Sequence, residues 1–144
     1  MLRPFFIDTV AFVALIKSAD EFRPSALKLL QNVHEGNQPA RASAISLLEV
    51  AYVVRKLGGT AEDVSKAIHA CLSIKNLDFL PITPEIIRQA SDHMILYKLQ
   101  LSDAVIAASM AQENMDHLAS EDTDFDRVPF LTRVSLSRAA ALQR

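Results

Sequence analysis

The feature that most limits the fold of this chain is the alternation of short apolar runs with longer segments of helical periodicity. The strand-like runs cover residues 3–7, 38–43, 77–82, 117–120 and 132–136. The helix-like segments cover residues 9–17, 23–35, 45–56, 60–75 and 83–98, and another begins at residue 102. Strands that alternate with helices in this way predict an α/β domain with a largely parallel sheet and right-handed crossovers.

Length and composition indicate one globular domain. A chain of 144 residues can enclose one sizeable core, so we expect a single domain over residues 1–144, with about 137–144 as an exposed tail. Half of the residues are hydrophobic and 22% are charged, which excludes an intrinsically disordered chain. Because glycine occurs only three times, long helices are favoured over a turn-rich all-β fold.

Charge and cysteine content limit the partners and the compartment. The net charge is −2, so contact with nucleic acid must come from local Lys/Arg patches or from bound cations. A single cysteine, Cys71, excludes an internal disulfide, and its helical spacing from Val64 and Ile68 predicts a core position. No run reaches the roughly 18 apolar residues of a membrane span, and no signal-peptide pattern is present. We therefore expect a cytoplasmic protein without membrane contact.

Asp8 follows the first strand-like run and precedes another apolar segment. A carboxylate between two apolar segments is costly unless it is paired or binds something. In open α/β sheets, ligands bind beyond the carboxyl ends of the strands, which is where Asp8 is predicted to lie. The alternative is that Asp8 only caps the next helix, a role that stabilises by about 1 kcal/mol.

Two further acids are predicted to lie on helices. Glu49 is in the segment 45–56, whose apolar residues cover nearly every face and therefore predict a buried helix. It needs an opening or a partner, and an ion pair with Arg41 is the alternative. Asp103 is in the first turn of a helix that Ser102 would cap, where the helix dipole alone also favours an acid.

Four acids crowd residues 121–126 after the fourth strand-like run, and Asp122 and Asp124 are among them. A solvated acidic turn is the alternative. The acids after strands and those on adjacent helices could meet at one edge of the sheet, where like charges disfavour joint ionisation. A hard divalent cation such as Mg²⁺ resolves that conflict, takes oxygen ligands and can promote attack of water on a phosphodiester.

Four segments resemble the PIN-domain family, and specifically the VapC-type toxins of toxin–antitoxin pairs. They cover residues 6–9, 43–52, 101–108 and 120–125, in the family's order and at about its spacing. The resemblance implies a mainly parallel five-stranded sheet flanked by helices on both faces. It also implies an endoribonuclease that needs Mg²⁺ or Mn²⁺ and hydrolyses RNA through metal-bound water. By position, the catalytic and metal-binding acids are Asp8, Glu49, Asp103 and Asp122, with Asp124 as the other candidate for the fourth acid.

Hydroxyl side chains beside these acids are further candidates. Thr9 and Ser102 could orient a carboxylate or a water, although helix capping is the alternative for each. The chain departs from the family pattern at Val10, where a small polar residue is common. It also departs at Ser120, which replaces the usual threonine before the last acid.

The resemblance also implies partners. These are an RNA substrate, a small cognate antitoxin that wraps the toxin and blocks its site, and a second copy in a homodimer. Apolar candidates for such surfaces are Phe12, Leu15, Ile16 and Phe22, which could equally be core residues.

Two other functions compete with the ribonuclease. A non-catalytic module of the same fold could keep the acids for a structural cation or a protein partner. A phospho-accepting receiver-like domain is disfavoured because Asp8 stands alone after its strand and no lysine follows Lys98.

Overall fold

Five parallel strands form one sheet in the computed structural model, which describes residues 2–141. The strands are β1 (Phe5–Ile7), β2 (Ala40–Ser43), β3 (Leu77–Leu80), β4 (His117–Ala119) and β5 (Thr132–Val134). Their order is β3-β2-β1-β4-β5, and every neighbouring pair is parallel. The predicted α/β fold with a parallel five-stranded sheet is confirmed.

Helices cover both faces of this sheet. They are α1 (Thr9–Ile16), α2 (Arg23–His34), α3 (Ile45–Lys56), α4 (Ala61–Leu72), α5 (Pro84–Tyr97), α6 (Leu101–Gln112) and α7 (Leu136–Ala141), with a 3₁₀ turn at Thr123–Arg127. Successive side chains of a strand point to opposite faces. Phe5 and Ile7 accordingly join a core formed with α1, α2 and α7, and Phe6 joins a second core formed with α5 and α6.

Helix N-termini mostly begin where the sequence predicts. Thr60 caps α4 in a reciprocal capping box with Asp63, and Thr83 accepts a hydrogen bond from the Ile86 N–H at the start of α5. The prediction that Ser102 caps α6 is wrong. Gln100 is the last residue with an extended backbone, so Ser102 lies inside the first turn.

The prediction that α3 is buried on all sides is also wrong. Its buried residues are Ser46, Val50 and Val54, and the two valines join the core that contains α1 and α2. On another face, Leu48 and Tyr52 are 62% and 67% exposed. The apolar residues of α3 therefore pack into a core on one side of the helix and lie on the protein surface on another.

The C-terminal segment differs from the predicted exposed tail. Residues 137–141 belong to α7, which begins at Leu136 and buries Ala139 and Ala140. The Asn32 side chain in α2 donates a hydrogen bond of 3.1 Å to the Ala140 carbonyl. Small alanine side chains allow this close packing, so the tail prediction is wrong there, and residues 142–144 lie outside the described range.

Several apolar positions left open by the sequence are core residues. Phe12 is fully buried, and Leu15, Ile16 and Phe22 are partly buried against the same core. Cys71 is buried, as predicted.

Within residues 2–141, no single helix has the length and apolar character needed to cross a membrane. Helices α5 and α6 have that length and character only when taken together, and the pair is bent by 113°.

Candidate active site

The acidic residues meet at the carboxyl end of the central strand β1. This strand lies between β2 and β4: β2 and β3 are added on one side of it, and β4 and β5 on the other, so the strand order changes direction here and such a switch point opens a crevice. Asp8 directly follows β1, and Asp122 lies just beyond β4. Glu49 on α3 and Asp103 on α6 reach the same place: Asp8, Glu49 and Asp103 line one groove of about 570 Å³.

Asp8 is buried and held by two hydrogen bonds. Its Oδ1 accepts from the Thr9 N–H at 2.8 Å as the N-cap of α1, and its Oδ2 accepts from the Ser120 hydroxyl at 2.6 Å. Burial raises the pKa of Asp8 to about 6, although these hydrogen bonds oppose the rise. The charges of the other acids nearby add to it. Asp8 is therefore both the helix cap and a buried acid in the groove.

Glu49 is held by a chain of hydroxyl groups. The Thr9 hydroxyl donates to Glu49 Oε1 at 2.6 Å, and Ser46 Oγ lies 2.8 Å from Thr9 Oγ1. The Thr9 hydroxyl carries one hydrogen and donates it to Glu49, so Ser46 is the donor in the hydrogen bond with Thr9. The alternative ion pair of Glu49 with Arg41 is wrong, because Arg41 pairs with Glu113.

Ser46 is a residue of the site that the sequence did not single out. It is fully buried in α3 and lies three residues before Glu49. Residues three apart share a helix face, so this spacing was the signal that could have identified it. Ser102 was a candidate but makes no side-chain hydrogen bond that the structure records among residues 2–141.

Asp103, Asp122 and Asp124 form the tightest part of the acidic centre. One carboxylate oxygen from each lies within 4.8 Å of the others. Asp122 also accepts from the Asp124 N–H at 2.9 Å, and its own N–H donates to the Ser120 hydroxyl at 3.0 Å. These hydrogen bonds hold the turn in which both acids lie close to Asp103.

The electrostatics of the centre follow from its crowding. Burial is the main cause that raises the pKa of Asp103 to about 8. The carboxylates of Asp8, Asp122 and Glu49 add to the rise in that order, and so does a hydrogen bond with Asp122. Negative charges this close resist joint ionisation unless a cation lies between them.

Among residues 2–141, direct ion pairs do not supply that compensation to most of these acids, although the pKa of Arg133, raised mainly by its hydrogen bond with Asp126, is also raised by the charge of Asp122. Within residues 2–141, Asp8, Glu49, Asp103 and Asp122 make no ion pair, whereas Asp124 pairs with Arg127 at 3.0 Å. The donor set consists of carboxylate oxygens alone, which fits a hard divalent cation of the Mg²⁺ or Mn²⁺ class. The carboxylate oxygens that lie within 4.8 Å of one another belong to Asp103, Asp122 and Asp124, and Asp8 and Glu49 line the groove with Asp103.

The wall of the groove beyond the acids is apolar. It is formed by side chains of α1 and α3, namely Val10, Val13, Leu48, Tyr52 and Val53. The groove thus combines a charged end with an apolar side, a combination typical of binding sites for small molecules or extended chains.

Comparisons with known proteins agree with this geometry. The family model described as PIN domain matches residues 5–131. No curated protein sequence matches the chain. Three solved structures have the same fold at 19–20% identity.

The first is VapC20 of Mycobacterium tuberculosis, a toxin described as cleaving the sarcin–ricin loop. It is 20% identical over 88% of this chain and 96% of that chain, with a TM-score of 0.71. VapBC2 of Rickettsia felis, bound to a promoter DNA fragment, is 19% identical over 92% and 98%, with a TM-score of 0.68. A toxin–antitoxin complex from Klebsiella pneumoniae is 20% identical over 92% and 97%, with a TM-score of 0.63.

Proposed function

The chain belongs to the PIN-domain family, and from this premise we propose that it is a divalent-metal-dependent endoribonuclease, the toxin of a toxin–antitoxin pair. The observation that carries the proposal is the crowding of Asp8, Glu49, Asp103 and Asp122, which raises the pKa of Asp103 although none of the four makes an ion pair among residues 2–141. Three of them, Asp8, Glu49 and Asp103, line one groove. A structural role alone does not account for four unpaired acids at the switch point of the sheet.

The residues divide into those that hold a cation and those that orient the holders. Asp8, Asp103 and Asp122 would hold Mg²⁺ or Mn²⁺, and Glu49 would complete the set. When bound, such a cation neutralises the phosphodiester and activates a water for attack on phosphorus. Ser120 fixes Asp8, and the pair Ser46–Thr9 fixes Glu49, so the acids keep their places when RNA arrives.

The biological setting is proposed from the relatives. VapC20 is described as a toxin that cleaves an RNA loop, and the other two structures are described as toxin–antitoxin assemblies. This chain covers 96–98% of each of those chains, so it contains the same unit. We propose that it acts on cytoplasmic RNA, forms a homodimer and is inhibited by a small antitoxin.

The decisive experiment removes the carboxylate charge of one acid without changing the shape of its side chain. Asp8→Asn should abolish RNA cleavage with Mg²⁺ or Mn²⁺ while circular dichroism shows an intact fold. Asp78→Asn is the matched control, because Asp78 is exposed on β3 away from the groove, and it should cleave at the wild-type rate. Cleavage by Asp8→Asn at the wild-type rate would refute the proposal. Cation binding by the wild-type protein without cleavage of any RNA would instead support a non-catalytic module.

A further inference from the structure

The apolar wall of the groove has no role in holding a cation. Tyr52 and Leu48 dominate it, and both are largely exposed although they adjoin the acidic centre. An exposed apolar surface beside polar residues marks a binding site. We propose that Tyr52 is the stacking platform for an unpaired nucleobase next to the phosphodiester at the acids. This inference rests on the proposed ribonuclease function.

The spacing of side chains along α3 matches a nucleotide. Glu49, Tyr52 and Lys56 lie at positions i, i+3 and i+7, which share one helix face. The Lys56 Nζ lies 6.0 Å from the centroid of the Tyr52 ring. An acid that faces the cation site, an aromatic ring and an ammonium group therefore follow one another. In one RNA strand, this order would place a phosphate at the cation site, the adjoining base on the ring and the next phosphate at the ammonium group.

The surface continues beyond the ring. Tyr52 also lines a second hollow of about 470 Å³, whose other residues are Ala51, Arg55, Ala61 and Val64. Within residues 2–141, neither Arg55 nor Lys56 makes an ion pair with a carboxylate, and the Lys56 ammonium group lies over one face of the Tyr52 ring, which leaves the other face for a base. Tyr52 thus separates a hollow that contains carboxylates from one that contains Arg55, and a strand running along α3 would cross both.

The ring selects an unpaired base. A base inside a duplex is stacked on its neighbours, whereas a splayed base can lie on an aromatic side chain. Stacking of this kind tolerates many sequences because every base has a π-face. An apolar anchor from a protein would also cover Tyr52 and Leu48, but it would not use the charges of Arg55 and Lys56, which make no ion pair within residues 2–141. The sequence of charges therefore favours RNA over a protein partner.

The test combines a protein substitution with a change in the RNA. The probe is a short randomised single-stranded RNA cleaved with Mn²⁺, whose cleavage sites are mapped and whose flanking base is then replaced by an abasic residue. Tyr52→Leu should lower kcat/KM about tenfold, mainly through KM, and Tyr52→Phe should stay within about twofold of wild type. Removal of the flanking base should cost wild type about tenfold but cost Tyr52→Leu little, because the stacked pair is already lost.

The control variant is Leu57→Ala. Leu57 follows α3, is as exposed as Leu48 and lines neither hollow, so its removal should leave cleavage unchanged. Fluorescence anisotropy of the same RNA with Ca²⁺ provides a readout of binding that does not require cleavage. In this binding assay, Tyr52→Leu should weaken the binding of single-stranded RNA about tenfold. A duplex of the same sequence should bind the wild-type protein and Tyr52→Leu with the same affinity.

The outcomes separate the inference from the function it rests on. If the effects of Tyr52→Leu and of base removal multiply, the base does not stack on Tyr52 and the inference is overturned while the ribonuclease stands. If the substitution changes the sedimentation of the protein alone but neither RNA binding nor cleavage, the wall is a protein interface and the inference is again overturned. Failure of the wild-type protein to cleave RNA would overturn the proposed function itself.

Discussion

The Ser120 hydroxyl donates a 2.6 Å hydrogen bond to Oδ2 of Asp8, which lies 112 residues earlier in the chain. The same hydroxyl accepts from the Asp122 N–H at 3.0 Å. One buried serine therefore sets the positions of two acids that come from different strands of the sheet.

Ser120→Ala should weaken cation binding. Without the hydroxyl, a buried oxygen of Asp8 loses its donor and the pKa of Asp8 rises further, because this hydrogen bond lowers it. We expect the affinity for Mn²⁺ at neutral pH to fall about tenfold, measured by titration calorimetry. Ser120→Thr keeps the hydroxyl and should stay close to wild type. Equal affinities of the alanine variant and the wild type would show that Ser120 has no part in cation binding.

The cation-free protein should lose stability as pH rises. The pKa values of Asp8 and Asp103 are raised from 3.8 to about 6 and about 8, so between about pH 4 and 8 the folded state binds more protons than the unfolded state. Stability therefore falls with rising pH across this window. Asp8 alone accounts for about 3 kcal/mol, and Asp103 adds less than its shift implies because water reaches it.

Urea unfolding at about pH 5 and about pH 8, with a chelator or with saturating Mn²⁺, measures this effect. The cation should stabilise the protein by about 3 kcal/mol at a hundredfold excess over its dissociation constant. Its effect should be larger at the higher pH, where Asp8 is ionised and Asp103 is partly ionised before the cation binds. A chelated protein with constant stability across this range would contradict the crowded-acid account.

Asp122→Asn should impair the cation site more than Asp124→Asn. Asp124 already pairs with Arg127, whereas Asp122 makes no ion pair among residues 2–141 and contributes to the raised pKa values of Asp8 and Asp103. We expect Asp122→Asn to weaken Mn²⁺ binding about tenfold or more, and Asp124→Asn to weaken it far less. The reverse order in a calorimetric titration would assign the fourth acid to Asp124.

Thr9→Val and Ser46→Ala should act on Glu49 as one unit. Ser46 donates to Thr9, which donates to Glu49, so loss of Thr9 removes the effect of Ser46 as well. We expect Thr9→Val to weaken Mn²⁺ binding about tenfold and Ser46→Ala about threefold. The double variant should match Thr9→Val alone, and Ser46→Thr should restore binding. Additive effects in this double-mutant cycle would show that the two hydroxyls act separately.

Local sequence signals predicted most of the framework and the acids. The strand before Asp8 and the threonine caps at Thr60 and Thr83 depend on neighbours within a few residues, and all three are confirmed. Asp8 and Asp122 could be placed together from the sequence because the carboxyl ends of parallel strands share one edge of the sheet, and Glu49 and Asp103 because their helices were expected to pack beside that edge.

What the sequence missed depends on contacts between distant segments. The pairing of Arg41 with Glu113 joins residues 72 apart, and no local pattern distinguishes Glu113 from Glu49 as the partner. The open face of α3 was missed for a related reason. Its apolar residues indicate contact but not whether the contact lies inside the protein, so Tyr52 resembled a core residue. The helix at Leu136–Ala141 was missed because short alanine-rich ends carry little periodicity.

The position of β1 between β2 and β4 has a consequence for synthesis. Ser120 and Asp122 enter the pocket only after β4 has docked on β1, so a growing chain that ends before residue 117 lacks a complete acid set. Under the proposed ribonuclease function, a centre that needs Asp8 as well as Ser120 and Asp122 would stay incomplete through most of translation. Synthesis of the chain would then be nearly finished before its product could attack RNA.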